Sequence, residues 1–390
     1  MKDLKSKKVA VALSGGVDSG VAAALLVKQG YQCIGFHMHL WSETIKDKFF
    51  INKCCSTESL ETARKTAHQL GIPFQVIDFS KIFKKQVVDY FLKAYGGGLT
   101  PNPCVFCNKF IKFGELLNYA LKLGFDYLAT GHYARIETSK FAQKDFLHLL
   151  TGKDKSKDQT YFLYNLTQPQ LVHILFPVGN YQKKEVVAIA KKWQLPVAHR
   201  PESQEICFLP ENDYRPFLKR HLQKEIKLGG VVDIQGRIIG SHQGLPLYTI
   251  GQRHGFNLSR QIQTPVLPPY YVIGKNVKKN QLIVGFGQET ERKEFFVKGV
   301  NWINPELQIN KSSNCELECW VRVRHQGKLL QARIQPQKNK VKVILTEPER
   351  GIAPGQAAVF YLPRRTRVKA GLGEEVLGGG IIHLDKNEEK

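Results

Sequence analysis

Through its first two hundred residues the chain alternates between two apolar rhythms. Val9-Ala-Val-Ala-Leu13 is an unbroken apolar run that stops at Ser14-Gly-Gly, the pattern of a strand buried on both faces. Val21, Leu25 and Leu26 then keep the helical period as far as Gly30, a C-terminal stop. The two rhythms repeat. Cys33-Ile-Gly-Phe36, Phe74-Gln-Val-Ile77 and Tyr127-Leu-Ala-Thr130 read as strands. Leu60, Ala63, Ala67 and Leu70, and later Ile82, Phe83, Val87, Phe91 and Leu92, fall at helical spacing. Strands separated by helices predict a parallel α/β sheet covered on both faces.

The pattern changes twice. From about 210 to 285 it is mixed and rich in Gly, Pro and Tyr, which predicts a small linking domain. After about 290 the helical period disappears. Leu317, Cys319, Val321 and Val323 share one face of an extended segment, with Glu316, Glu318, Trp320, Arg322 and Arg324 on the other. Val341, Val343 and Leu345 alternate with Lys340 and Lys342 in the same way. Several half-buried antiparallel strands of this kind predict a small barrel or sandwich. The expected boundaries are 1–208, 209–288 and 289–385, the last an antiparallel β-barrel. A chain of 390 residues suits two or three such domains.

Charge and cysteine content narrow the function. Lys plus Arg number 57 against 34 Asp plus Glu, a net charge of +23. Such an excess points to a polyanionic partner, or else to a general solubility bias. The basic residues are spread along the chain, which predicts a folded basic face rather than a flexible arm. Apolar residues make up 42% and charged residues 23%, a globular balance that excludes a disordered chain. Eight cysteines, at 33, 54, 55, 104, 107, 207, 315 and 319, in a long chain without a signal peptide predict reduced thiols. No apolar run approaches the roughly 20 residues of a membrane span. The first strand starts too early to leave room for a targeting segment. The expectation is a cytoplasmic protein with no membrane partner.

Ser14-Gly15-Gly16-Val17-Asp18-Ser19 lies between the first strand and the first helix. Its glycines allow close backbone approach, the helix start offers free N–H groups, and Ser14 and Ser19 add hydroxyls, a set suited to phosphate. Asp18 is out of place beside a phosphate unless it holds a cation or orients the loop. No Gly-Lys-Ser/Thr follows, so this is not a Walker A loop, nor is it G-x-G-x-x-G. It resembles the SGGxDS loop of the PP-loop ATP pyrophosphatase superfamily, whose members cleave ATP between the α and β phosphates and adenylate an oxygen of their substrate. The resemblance implies an adenine nucleotide α-hydrolase-like domain. It implies ATP contacts at Ala12, Leu13, Ser14, Gly15, Gly16, Val17, Asp18 and Ser19, at Met38 after the second strand, and at Gly131 after a later one. Magnesium is expected with the ATP, held by Asp18 or by the nucleotide alone.

The cysteines choose among the superfamily's chemistries. In Thr100-Pro101-Asn102-Pro103-Cys104-Val105-Phe106-Cys107-Asn108-Lys109 the prolines predict a shaped loop, with a helix beginning at Ile111-Lys112-Phe113. A thiol there tends towards thiolate, favoured by the helix end and by Lys109. Cys207 follows a hundred residues later in Glu202-Ser-Gln-Glu-Ile-Cys-Phe208. These segments resemble the tRNA-specific 2-thiouridylase family. So do Gly131-His132-Tyr133-Ala134-Arg135, Lys157-Asp158-Gln159-Thr160-Tyr161-Phe162-Leu163, Tyr248-Thr249-Ile250-Gly251-Gln252-Arg253 and Pro354-Gly355-Gln356, in the family's order and over nearly the whole chain. The resemblance implies that Cys107 is the nucleophile and Cys207 the persulfide carrier. Cys107 then either forms a disulfide with Cys207 or assists by other thiol chemistry. The position of Cys104 varies in the family and is sometimes Asp; Glu202 stands where many relatives have Asp.

The resemblance further implies that Asn102, Pro103 and Cys104 line a pocket for the target base, with His132 beside it. Lys157, Asp158 and Gln159, together with Arg324, His325 and Gln356, would contact tRNA, and a cysteine desulfurase or sulfur relay protein would supply the sulfur. A wobble uridine in a single-stranded anticodon loop is cheaply splayed into a pocket. Alternatives stand beside this. Cys104 and Cys107 have the spacing of half a zinc site. Cys104, Cys107 and Cys207 would suit an iron–sulfur cluster with one open iron position. Cys33, Cys315 and Cys319 read as inert buried thiols, and Cys54-Cys55 suggest no role. At the level of function, the rivals are another ATP pyrophosphatase, amide-forming or lysine-attaching, and a non-catalytic RNA-binding protein.

Overall fold

The computed structural model describes residues 6–45, 48–50, 56–141, 144–200, 206–209, 211, 213–259, 268–303, 316–362 and 374–384; for 44, 45, 48–50, 140, 141 and 144 it describes the backbone alone. Cys54, Cys55, Glu202 and Cys315 lie outside the described residues.

The first unit runs β1 (Lys8–Ala12), α1 (Val17–Lys28), β2 (Gln32–His39), a hairpin of β3 (Glu43–Ile45) and β4 (Lys48–Phe50), α2 (Thr57–Gln69) and β5 (Phe74–Asp78). It continues through a helical rod containing α3 (Ser80–Phe83) and α4 (Asp89–Gly96), a second rod containing α5 (Pro103–Phe106) and α6 (Leu117–Lys122), then β6 (Tyr127–Ala129). A hairpin of β7 (Ala134–Phe141) and β8 (Lys144–Thr151), then α7 (Gln168–Leu171), β9 (Ile174–Leu175) and α8 (Lys183–Lys192) complete it. Five strands form a parallel sheet in the order β5-β2-β1-β6-β9. Adjacent residues of β1 serve opposite layers. Val9 and Val11 pack with Ala23 and Leu26 of α1 and Ala63 and Ala67 of α2. Ala10 packs with Leu117 and Ala120 of α6. This two-sided burial is why β1 reads as an unbroken apolar run.

The second rod departs from expectation. Helix begins at Pro103, not near Ile111. Pro103 occupies a first-turn position, where its missing N–H costs nothing, and Asn102 caps the end by accepting from the Cys104 N–H at 3.1 Å. Between α5 and α6, residues Cys107–Leu116 form a π-helix, and Lys84–Val88 do the same in the first rod.

A linking unit follows, with α9 (Tyr214–His221), β10 (Gly229–Val232), β11 (Ile238–His242), β12 (Asn257–Leu258), β13 (Tyr271–Asn276) and β14 (Gln281–Gly285). Its sheet has the order β12-β11-β10-β14-β13. Val231, Leu282 and Val284 from this sheet share a core with Phe83, Phe91 and Tyr95 of the first rod and Phe217 of α9.

The C-terminal unit is β15 (Glu291–Trp302), β16 (Leu317–Arg322), β17 (Leu330–Pro336), β18 (Lys340–Arg350), β19 (Ala357–Tyr361) and β20 (Val376–His383). They close into a barrel, β15-β18-β17-β16-β19-β20, so the barrel alternative holds over the sandwich. Closure pairs both edges of the sheet. Cys319, Val321, Val341, Val343 and Leu345 fill its interior, as the alternation required. β19 is buried along its whole length, because Ala357, Val359 and Tyr361 pack outward against Tyr161 and Tyr164 of the first unit.

Candidate functional site

The Ser14–Ser19 loop is held by its own hydroxyls. The Ser14 N–H donates to Ser19 Oγ at 3.2 Å, and Ser19 Oγ donates to the Gly16 carbonyl at 3.0 Å. Gly15 has φ +77°, and a Cβ there would stand 2.2 Å from the Ser59 carbonyl oxygen near the start of α2. Only glycine allows α2 to pack that close. Gly131 is constrained from the other side: a Cβ would lie 2.7 Å from Asp18 C and Ser19 N. The end of β6 therefore sits directly on the first turn of α1.

Asp18 orients the loop. Its Oδ1 accepts from Lys183 Nζ at 2.7 Å and from the Tyr133 hydroxyl at 2.8 Å. Lys183 also stands 5.9 Å from the Tyr133 ring centre. Among the described residues, no group of three His, Cys, Asp or Glu side chains is arranged to hold a metal ion.

In front of the loop lies a cavity of about 300 Å³. Ala12, Leu13, Ser14, Asp18 and Ser19 form its loop wall, with Met38 and Gly131 from the ends of β2 and β6. Pro103, Cys104, Cys107 and Cys207 line it as well, and His132 and Gln159 border the same space. Two thiols a hundred residues apart thus share one cavity with the phosphate-type loop. None of Cys104, Cys107 and Cys207 is in a disulfide. Cys33 and Cys319 are elsewhere and buried; burial pushes their thiols up to about 11 and about 12.

Three further cavity residues have no role assigned from the sequence. His37 is buried and its Nδ1 donates to the Leu13 carbonyl at 2.8 Å, tying β2 to the loop. Asn108 donates through Nδ2 to the Cys104 carbonyl at 3.0 Å, while its buried Oδ1 has no hydrogen-bond partner. Lys112 stands 3.3 Å through Nζ from His132 Nε2. The His132 Nδ1 is 2.7 Å from Thr130 Oγ1. Burial first, and the Lys112 charge second, hold His132 well below its ordinary range. The neutral ring then accepts from the ammonium at Nε2 and donates from Nδ1 to Thr130. Lys109, expected to assist the thiol, is exposed, with its Nζ 5.4 Å from the Phe110 ring centre.

The expected RNA-facing residues divide. Asn102 is the cap of α5 and Lys157 is half-buried. Asp158 is not a surface contact: it is buried, and its Oδ2 takes Arg322 Nη1 at 3.0 Å and Thr160 Oγ1 at 2.8 Å. Asp158 ties the first unit to the barrel. Arg322 also lies 5.3 Å from the Tyr361 ring centre. His325 packs 4.3 Å from the Phe162 ring centre. Burial and the Arg322 charge lower it to about 4. The ring packs there in its neutral form. Arg324 and Gln356 line a second cavity, of about 350 Å³, where the three units meet. Arg324 is held there by Glu349 at 2.9 Å, and Gln356 Nε2 donates to the Thr100 carbonyl at 3.2 Å.

Comparison with known proteins fits this geometry. Residues 7–211 match the family described as tRNA methyl transferase HUP domain, 215–286 the PRC-barrel domain of the same series, and 292–382 the aminomethyltransferase beta-barrel domain. The tRNA-specific 2-thiouridylase MnmA of Carboxydothermus hydrogenoformans is 44% identical over 384 residues, covering 96% of this chain and 97% of its own. The chain belongs to the tRNA-specific 2-thiouridylase family. The enzyme of the same name from Acetivibrio thermocellus is 42% identical over 381 residues, covering 97% of this chain and 100% of its own. Membership makes the chain an enzyme, a tRNA sulfurtransferase. The 2-thiouridylase names, rather than the methyl-transferase wording, agree with a cavity bearing three cysteines. Within the family frame, Lys112 and Lys183 are the residues sequence reasoning missed. Nothing in the sequence tied Lys183 to Asp18, 165 residues away.

Proposed function

We propose that this enzyme uses ATP to adenylate the 2-oxygen of the wobble uridine in a tRNA anticodon loop, and replaces it with sulfur carried as a persulfide on Cys207. One observation carries the reading: the phosphate-type loop, Cys107 and Cys207 line the same cavity. The uridine 2-oxygen attacks the α-phosphorus of ATP, the Pα–O bond to pyrophosphate breaks, and the N3 proton leaves to solvent. The loop N–H groups and hydroxyls face the phosphates. A donor protein of the persulfide-forming class loads Cys207. Cys107 attacks the inner sulfur of that persulfide, forming a Cys107–Cys207 disulfide and expelling hydrosulfide. Hydrosulfide adds to C2, AMP departs with the original oxygen, and 2-thiouridine remains. The two electrons that reduce the persulfide sulfur come from the two cysteines, and an external thiol resets the disulfide.

Asp18 is engaged by Lys183 and Tyr133, so magnesium enters with the phosphates of ATP rather than on a protein site. Among the described residues, the three cavity cysteines are not arranged as a group that holds a metal ion. RNA fits the net charge of +23 and the cavity at the junction of three units. Among the described residues, no helix is long and apolar enough to cross a membrane.

The test is incubation with ATP, a persulfide donor and unmodified tRNA, following pyrophosphate, AMP and thiolated nucleoside together. The three should rise in step. In the Cys207→Ser chain, thiolation should fall by about 10³-fold or more while pyrophosphate release persists. Full thiolation by that variant would show that Cys207 is not the carrier.

A further inference from the structure

The charge of the cavity is uneven. ATP and an adenylated base bring several negative charges into it, yet most of its described lining is apolar or neutral. The basic residues nearest the loop serve other groups: Lys183 holds Asp18, and Arg200 holds Glu58 and Ser59. Among the described residues lining the cavity, Lys112 is the one lysine or arginine. Its ammonium has three N–H groups, and His132 Nε2 takes one. His132 is in turn fixed by Thr130. The ammonium is therefore held in place on the wall that also carries Cys107 and Asn108, with two donors left for a ligand.

We propose that Lys112 is a catalytic residue of the adenylation step, donating to a non-bridging oxygen of the α-phosphate as negative charge gathers there in the transition state. This rests on the reading of the cavity given above. Charge on the α-phosphate oxygens is greatest as the uridine 2-oxygen attacks and pyrophosphate leaves. A cation held in place beforehand acts on such charge without reorganising. The π-helical stretch supplies the placement: its i→i+5 step stacks Lys112 one turn beyond Cys107, so cation and thiol present to one space. His132 acts as a positioning residue, accepting a hydrogen bond from one Lys112 N–H and so limiting its rotamers.

The experiment measures pyrophosphate release and 2-thiouridine formation by the full chain with ATP, unmodified tRNA and a persulfide donor. Lys112→Met keeps the length and removes the charge. It should slow pyrophosphate release by about 10²-fold, with KM for ATP and tRNA within about threefold and an unchanged melting temperature. Lys112→Arg should recover part of the rate. Lys112→Ala should respond to added propylammonium, which a purely structural role would not. Four results would overturn the proposal: release within threefold of the parent, a loss confined to KM, thiolation lost while release is normal, or a Lys112→Met chain that does not fold. If the parent chain itself makes no 2-thiouridine, the reading of the cavity fails; if it does and Lys112→Met matches it, only the role of Lys112 fails.

Discussion

Lys112 and Arg322 are both cations held inside the protein, and their surroundings differ in kind. Lys112 lines a cavity and has one neutral partner, His132. Arg322 lies in the seam between the first unit and the barrel, against the Asp158 carboxylate at 3.0 Å and the Tyr361 ring. The seam is closed on itself: Asp158 also accepts from the Gly152 N–H and the Thr160 hydroxyl, and Tyr361 is fully buried. Paired charge in a closed seam holds units in register, whereas charge beside an open cavity is available to a ligand. The same contrast separates the buried thiols Cys33 and Cys319 from Cys107 and Cys207.

If the contrast is right, the seam governs stability and the cavity governs rate. The largest stability effect should come from Arg322→Met, which leaves the Asp158 carboxylate buried without its cation. It should cost about 3–5 kcal/mol, read as a lower urea midpoint, and adding Asp158→Asn should recover much of the loss. An unchanged midpoint would erase the distinction between seam and cavity. Gly15→Ala should cost less, about 1–3 kcal/mol, but should also weaken ATP binding, because the displaced Ser59 carbonyl pushes on the loop. Equilibrium binding of a non-hydrolysable ATP analogue checks this.

The smallest effect concerns pH. Unfolded, His325 titrates near 6.5, and folded, near 4. Between those values the unfolded chain binds the extra proton, so stability should decline as pH falls through that window. His325→Phe, which keeps the packing on Phe162 and Tyr161, should flatten the decline, with His37 and His132 leaving a residual slope. A parallel curve for the variant would mean that His325 is solvated.

Much of this was legible in the chain. The apolar run of β1 and the period-2 faces of β16 and β18 fixed the element types, because burial on two faces or on one leaves different patterns. What misled was chemistry that reads the same in two contexts. Pro103 was taken to forbid helix, but a proline in the first turn starts one. The two-residue β9 is too short to show a rhythm, and the β7–β8 hairpin was passed over. Asp158 sits in a polar segment that resembles an RNA contact, and only the arrival of Arg322 from 164 residues away turns it inward.

By itself, then, the sequence determined the alternation of strands and helices, the glycine loop that needs no Cβ, the positive charge, and the positions of the cysteines. These depend on local sterics and composition, which are written residue by residue. Tertiary structure alone decided which thiols share a cavity, that Asp18 answers to Lys183, and that Lys112 rather than Lys109 lines that cavity. Such pairings depend on which distant surfaces the packed core brings together, and no spacing along the chain encodes that.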